Sequence, residues 1–271
     1  MNSINRGFTG LLIWCAMLFL SACSGFKRIN ENRAPVIKVM SYNIHHGNPP
    51  GDEGRIDMAA IIQTIREEDP DIVALQEVDV QVRRSGKIDQ AAILAKALNM
   101  QFLFSKAIDF DGGEYGLVIL SKHRLSSKKV RKLSMAADST AEPRILQSVI
   151  VHMPNSVPFV FANTHLDVLN TGNRLLQAKE IVGLAKQEKL PMILAGDWNA
   201  APGSPTLAIF EQAFTKTCTQ CPVTCPEEGA EGAIDFIAYT RNSHFKTREH
   251  RVLNNNKSSD HYPVIAEIIS K

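Results

Sequence analysis

The chain is extreme in nothing, and each thing it lacks excludes a class of protein. Cysteine is scarce, five residues in 271. That rules out a small scaffold held together by disulfides, which packs several pairs into far fewer residues. An excess of one charge is missing too: 30 Lys and Arg face 28 Asp and Glu, for a formal net charge of +2. A nearly neutral chain has no global field to draw in polyanions, which argues against a dedicated high-affinity DNA binder. Residues 35–271 contain no repeat, no low-complexity tract and no internal linker, so solenoids and strings of small domains do not fit. Only one long apolar run occurs, near the start, which excludes a many-spanning membrane protein. What remains is ordinary globular composition, 44% hydrophobic and 21% charged. The length suffices for one large α/β domain, or two small ones, with a substantial core.

The apolar run belongs to a distinct N-terminal stretch. Residues 1–22 carry a single charge, Arg6, followed by Leu11-Leu12-Ile13-Trp14-Cys15-Ala16-Met17-Leu18-Phe19-Leu20. A basic start, a short apolar middle and small residues after it read as a secretory leader, too short for a comfortable permanent span. The segment Leu20-Ser21-Ala22-Cys23 resembles a bacterial lipoprotein box, in which the Cys is acylated and the leader removed. We therefore expect a signal peptide at 1–22, a lipidated polar tether at 23–34 anchored through Cys23, and a single domain at 35–271. The implied location is the bacterial cell envelope, on the periplasmic or surface side of a membrane. Two or more acyl chains give stable anchoring, each buried methylene adding about 0.8 kcal/mol. Beyond Cys23 only Cys218, Cys221 and Cys225 remain. In an oxidising compartment this odd set suits one local disulfide and one thiol; a zinc site is the weaker alternative, because no fourth ligand lies nearby.

Helix and strand signals alternate through 35–271. Apolar runs at 36–43, 71–76, 116–121, 145–152, 158–164, 192–195, 233–239 and 262–269 read as strands, several of them buried on both faces. Helical spacing marks 57–68, 90–99, 173–189 and 204–214. The basic run Lys128-Lys129-Val130-Arg131-Lys132 reads as a solvated strand edge or loop. Strands and helices mixed in this way suggest a layered α/β domain with helices outside.

The informative feature is where polar residues interrupt the apolar runs. Asn43 ends the first strand. Glu77 follows a run that should be fully buried, so its carboxylate needs a partner or a cation. Glu114, His165, Asp197 with Asn199, Asp235, and Asp260 with His261 stand at comparable positions, at or just beyond the carboxyl ends of apolar strands. Loops at such ends are where α/β folds place chemistry. Taken singly each has an ordinary explanation, an Asx turn or a surface pair. Seven in one chain are hard to assign to chance.

The ordered set SYNIHHG (41–47), LQEVD (75–79), GGEYGLVILS (112–121), NTHLD (163–167), GDWNA (196–200), IDFI (234–237) and SSDHYPV (258–264) resembles the endonuclease/exonuclease/phosphatase superfamily. The resemblance covers nearly all of 35–271. It implies a deoxyribonuclease I-like four-layer sandwich, two mainly antiparallel β-sheets packed face to face with helices outside. It implies Glu77 as principal ligand of Mg²⁺ or Mn²⁺, with Asn43 and Asp260 completing or flanking the sphere; oxygen donors suit these hard ions. Asp197 would position or activate water, and Asn199 would hold a phosphate oxygen or a second metal. His261 would contact the phosphate, oriented by Asp235 through its other ring nitrogen. His165 with Glu114 would form a second such pair. Arg144 is a candidate phosphate clamp with its fork of donors. His45 and His46 line the cleft without an assigned role, Arg174 and Gln177 brace the scaffold, and Trp198 stands where the family often has Phe, a change of packing only.

The expected function is hydrolysis of a phosphomonoester or phosphodiester of a small molecule, sugar, inositol or lipid. A secreted or envelope nuclease, with nucleic acid as substrate only, is the alternative, and a non-catalytic binding lipoprotein is a third reading. A monomer is expected.

Overall fold

The computed structural model describes Met1, residues 34–226 and residues 232–270. The expected signal peptide, the Cys23 lipidation site and nearly all of the tether thus lie outside the described residues. Among those residues no helix is long and apolar enough to cross a membrane.

Residues 34–271 form one compact unit. It runs β1 (Val36–Asn43), a 3₁₀ turn at His45–Gly47, α1 (Met58–Glu68), β2 (Ile72–Val80), α2 (Gln90–Leu98), β3 (Gln101–Phe110), β4 (Gly113–Ser121), β5 (Arg124–Lys132) and β6 (Ile145–His152). It continues with β7 (Phe159–His165), α3 (Thr171–Gln187), β8 (Met192–Asp197), α4 (Pro205–Phe210), β9 (Phe214–Lys216), β10 (Asp235–Thr240), β11 (Phe245–Val252) and β12 (Val264–Ser270). The helices begin where short polar side chains take up a free backbone N–H. Asp57 accepts from Ala60, Asp89 from Ala92, Asn170 from Asn173, and Ser204 from Leu207 ahead of Pro205.

The strands build two six-stranded sheets, β11-β12-β1-β2-β4-β3 and β5-β6-β7-β8-β10-β9. Each is antiparallel except for one central parallel pair, β1 with β2 and β7 with β8. Side chains including Val39, Ala74, Ile119, Phe161, Ile193 and Ile237 fill the space between the sheets. The outer face of the first sheet packs under α1 and α2 through Met40, Ile61, Ile65 and Leu94. The second packs under α3 and α4 through Leu194, Ile181, Leu207 and Trp198. This is the four-layer sandwich expected. Trp198, fully buried, stacks on Phe210 at 4.2 Å and Phe236 at 5.0 Å between ring centroids.

The outermost strands of the two sheets, β3, β5, β9 and β11, carry no apolar signal of their own. β5 showed only as the solvated edge or loop at 128–132, and the helix expected over 204–214 stops at Phe210, with Phe214 opening β9. An edge strand covered on one side at most needs no continuous apolar run, and β5 is exposed over most of its length. The basic run 128–132 lies on it.

Two buried amides stitch the sheets together. Asn163 on β7 donates across the interface to the carbonyls of Leu75 and Val118, at 2.9 and 3.0 Å. Gln147 on β6 donates to the Leu103 carbonyl at 2.8 Å. The Leu75 carbonyl adjoins the register shift between Leu75 and Val78, whereas Leu103 lies in the regular part of the β3–β4 ladder. A bulge leaves backbone groups off the ladder, and inside a core these must find another partner.

Candidate active site

Strand direction assembles the site. The parallel pair in each sheet brings two carboxyl ends to one rim, Asn43 with the β2 bulge in the first and His165 opposite Asp197 in the second. Antiparallel neighbours bring amino ends to that same rim. Asp235 opens β10 directly across from Asp197, and Asp260 and His261 precede β12, whose Val264 pairs with Ser41. The expectation of carboxyl ends throughout is therefore corrected: Glu114, Asp235, Asp260 and His261 all lie at or before strand amino ends.

On the first rim, β2 carries one residue more than β4 between Leu75 and Val78, and Glu77 sits in that bulge at φ 58°. The bulge turns the carboxylate out of the sheet. Fully buried Asn43 donates to Glu77 Oε1 at 2.9 Å and to Asp197 Oδ2 at 3.1 Å, joining the two rims, while its own oxygen accepts the His45 N–H. Burial pushes the Glu77 pKa up, and the nearby Asp260 adds to this against the opposing pull of Asn43 and His261. Asp260 lies 3.7 Å from His45 Nδ1. Asp260 stands near enough to Glu77 to raise its cost of ionisation, and the two supply oxygen donors of the kind a hard divalent ion would satisfy. Glu77, Asp260 and the amide oxygen of Asn43 could hold it. His46 beside them is kept neutral, its pKa lowered to about 3 by burial and by the charges of Arg84 and His45.

On the second rim, Gly196 permits a contact no side chain could: a Cβ there would stand 2.0 Å from the Thr164 carbonyl oxygen. β8 thereby lies tight against β7 and delivers Asp197 next to His165. Asp197 Oδ2 is 3.4 Å from His165 Nε2 and 3.8 Å from His261 Nε2. Burial and the adjacent Asp235 raise the Asp197 pKa to about 7, against His261, the Asn199 N–H and Asn43. Asp235 Oδ2 meets His261 Nδ1 at 2.9 Å. Burial works against a charged His261, but Asp235, the Cys225 side chain and Asp197 hold its pKa well above the ordinary value. His165 goes the other way, lowered by burial and by the positive charges of Arg144 and His261. Asn199 donates its backbone N–H to Asp197 Oδ1 and its amide to the Leu166 carbonyl, an Asx turn at the cleft edge.

Glu114 does not reach His165. Its neighbour Tyr115 faces the cleft, whereas Glu114 points to the other face of β4 and pairs with Lys106 at 3.2 Å. Successive strand side chains alternate faces, so only one of the two can look inward. His165 Nδ1 is buried without a hydrogen-bond partner among the described residues. Arg144, 5% exposed, does line the cleft, paired with Glu142 at 2.8 Å. Arg174 and Gln177 brace the loop after β7, bonding the backbone of Asp167. Cys218 and Cys221 form a disulfide, which removes the three-cysteine zinc alternative, and Cys225 is buried outside it. Thr224 next to it accepts the N–H groups of Ile234 and Asp235 and so positions the carboxylate behind His261.

His45 and His46, expected to line the cleft, stand behind Glu77 instead. Glu77, Tyr115, Arg144, His165, Asp197, Asn199 and His261 open into this cleft, of about 300 Å³. Its far wall was not foreseen: Arg84, held by Asp79 through two bonds at 2.8 and 2.9 Å, stacks over Phe110 at 4.5 Å beside Tyr115. The available signal was Phe110, an aromatic in a polar stretch.

A two-sheet sandwich with carboxylates, an amide and two imidazoles converging at one rim is the frame of a phosphoester hydrolase, with donors that fit a divalent cation. The profile of the Endonuclease/Exonuclease/phosphatase family matches residues 40–261, and the chain belongs to that family, whose members are divalent-metal-dependent hydrolases of phosphoesters. Its fold is shared with solved structures. An endonuclease/exonuclease/phosphatase from Beutenbergia cavernae DSM 12333 superposes with a TM-score of 0.73 at 23% identity, covering 88% of this chain and 72% of its own. A mannosyl-6-phosphatase of Bacteroides thetaiotaomicron VPI-5482 gives 0.68 at 21%, covering 86% and 99%. The human nocturnin catalytic domain, with bound sulfate, gives 0.67 at 20%, covering 89% and 95%. No curated protein sequence matches the chain significantly.

Proposed function

We propose that this protein hydrolyses a phosphomonoester or phosphodiester of a small molecule, sugar, inositol or lipid, with Mg²⁺ or Mn²⁺, as a monomer lipid-anchored at the bacterial cell envelope. The observation that carries the reading is the crowding around Asp197 Oδ2, which lies 3.1 Å from Asn43, 3.4 Å from His165 and 3.8 Å from His261. An attacking water held there has a base in Asp197 and meets a phosphate flanked by both imidazoles. Asp197, with a pKa near 7, takes the proton of that water. Neutral His165 accepts or shares a hydrogen bond with it. His261, kept protonated by Asp235, stabilises the charge that develops on phosphate oxygens. Arg144 donates to a substrate oxygen from its buried position. A bound cation at Glu77, Asn43 and Asp260 would neutralise phosphate charge and polarise the phosphoryl group.

The cleft's modest volume and its Arg84–Phe110 wall suit a compact leaving group with an apolar or sugar face. The nuclease alternative rested on two histidine–carboxylate pairs and on the basic run. Glu114 does not reach His165, and no residue of 128–132 lines the cleft, which leaves that reading without either support. The N-terminal leader and its lipoprotein-like Cys23 support the envelope location.

The test is a panel of phosphomono- and diesters assayed with the full chain, with and without EDTA, beside Asp197→Ala. Turnover of at least one compact ester is expected, with loss of about 10³-fold in the variant. An inert panel in the presence of both ions, or an Asp197→Ala protein as active as wild type, overturns the proposal.

A further inference from the structure

The turn after β1 presents donors that an oxygen-ligand cation site does not need. His45, His46 and Glu77 offer ligand atoms that all lie within 4.8 Å of one another, and the two imidazole rings are 4.5 Å apart between centroids. Donors sharing one first-row ion at about 2.0–2.2 Å stand no more than about 4.4 Å apart. A shift of side chains by tenths of an ångström would bring this trio to ligating distance.

We infer that His45 and His46 join Glu77 in a first-row transition-metal site, so that the position beside Glu77 prefers an imidazole-binding ion such as Co²⁺ or Zn²⁺ over Mg²⁺. This deepens the reading above and rests on Glu77 being a cation ligand. Three further observations support it. His45 Nδ1 lies 3.2 Å from the Asn48 carbonyl. A bond donated there leaves Nε2 as the lone pair, the arrangement by which a backbone carbonyl orients a metal-binding imidazole. His46 Nδ1 is buried with no hydrogen-bond partner among the described residues, as a nitrogen reserved for a bound ion would be. The backbone, finally, holds His45, His46 and Glu77 in the left-handed region, at φ 42°, 44° and 58°. Such conformations persist only where the surroundings enforce them; here Gln90 clamps the His46 carbonyl at 2.6 Å and Asn43 the His45 N–H at 3.0 Å. Imidazole donors favour later first-row ions, whereas Mg²⁺ prefers oxygen and retained water.

The test strips the full chain with EDTA, titrates it with Co²⁺ by visible absorption, and with Mg²⁺ by calorimetry. Co²⁺ should bind at least about tenfold more tightly than Mg²⁺. The double variant His45→Asn, His46→Asn uses a residue that tolerates left-handed backbone. It should lose at least about tenfold in Co²⁺ affinity while Mg²⁺ affinity stays within about twofold. An unchanged unfolding temperature of the metal-free variant shows that its fold is intact. If Mg²⁺ binds as tightly as Co²⁺, or the variant binds Co²⁺ like wild type, the inference is overturned while the cation role of Glu77 stands. If Glu77→Gln alters binding of neither ion, that role and this inference fail together.

Discussion

The two rims that meet in the cleft are built on opposite principles. The first sheet contributes half-buried, conformationally strained groups: Glu77 in a bulge, His45 and His46 in left-handed turns, Asp260 in a loop. The second contributes buried groups on regular strands, His165, Asp197 and Asp235, all 6% exposed or less. His261 belongs by sequence to the first rim and by its bond to Asp235 to the second. The difference fits two tasks. Ion binding needs donors that open toward an incoming cation, whereas proton transfer needs groups held in fixed contact, as His261 is on Asp235.

The comparison can be broken by treating the rims separately. Glu77→Gln should lower kcat/KM by about 10³-fold, several kcal/mol of charge stabilisation, and raised metal concentration should recover part of the loss. Asp235→Asn should cost about 10²-fold, expressed in kcat rather than KM, and no metal concentration should recover it. Steady-state kinetics across a metal series checks both. Equal rescue of the two variants would mean that the rims do not divide the work.

Stability against pH sharpens the picture of the second rim. The Asp197 carboxyl titrates higher folded than unfolded, so the folded chain keeps a proton that the unfolded chain releases between about pH 4 and 7. Stability is therefore lost as pH rises through that window. His261 acts in the same sense: its raised pKa gives stability present below about pH 6.5 and lost as pH climbs through the folded value. Asp197→Asn removes the first contribution. In urea unfolding of metal-free protein, the variant should gain on wild type by about 1–3 kcal/mol more at pH 8 than at pH 5. The smallest effect is expected outside both rims. Glu114→Gln breaks only an exposed pair with Lys106 and should change activity by less than about twofold and stability by less than about 1 kcal/mol. A large loss there would restore the pairing with His165 that the geometry denies.

How legible these features were follows from what surrounds each residue. Central strands announced themselves because both their faces are buried, as in the runs before Gln76 and Gly196. The edge strands β3, β9 and β11 did not, and β5 showed only as a solvated edge or loop, because exposure frees edge strands from an apolar pattern. Asp197, Asn199, Asp235 and His261 were readable as polar residues interrupting or flanking buried runs. Arg84 was not, since an arginine among exposed residues carries no mark of facing a cleft. Glu114 misled for a related reason: a strand's period of two gives one neighbour to each face, and only the sheet's placement decides which face is the cleft.

Order, spacing and chemical type of the polar groups were thus set by the sequence alone, and the ordered motifs they form carried the resemblance to the family. The layered class followed from alternating apolar runs, because burial of such runs is a local pattern. Which groups meet was decided by the tertiary structure. Antiparallel pairing carries the amino ends of β10 and β12 to the carboxyl ends of β8 and β1. The bulge at Glu77 and the close approach at Gly196 then turn side chains more than a hundred residues apart toward one point. Contacts of that kind depend on register and strand direction, which no stretch of neighbouring residues encodes by itself.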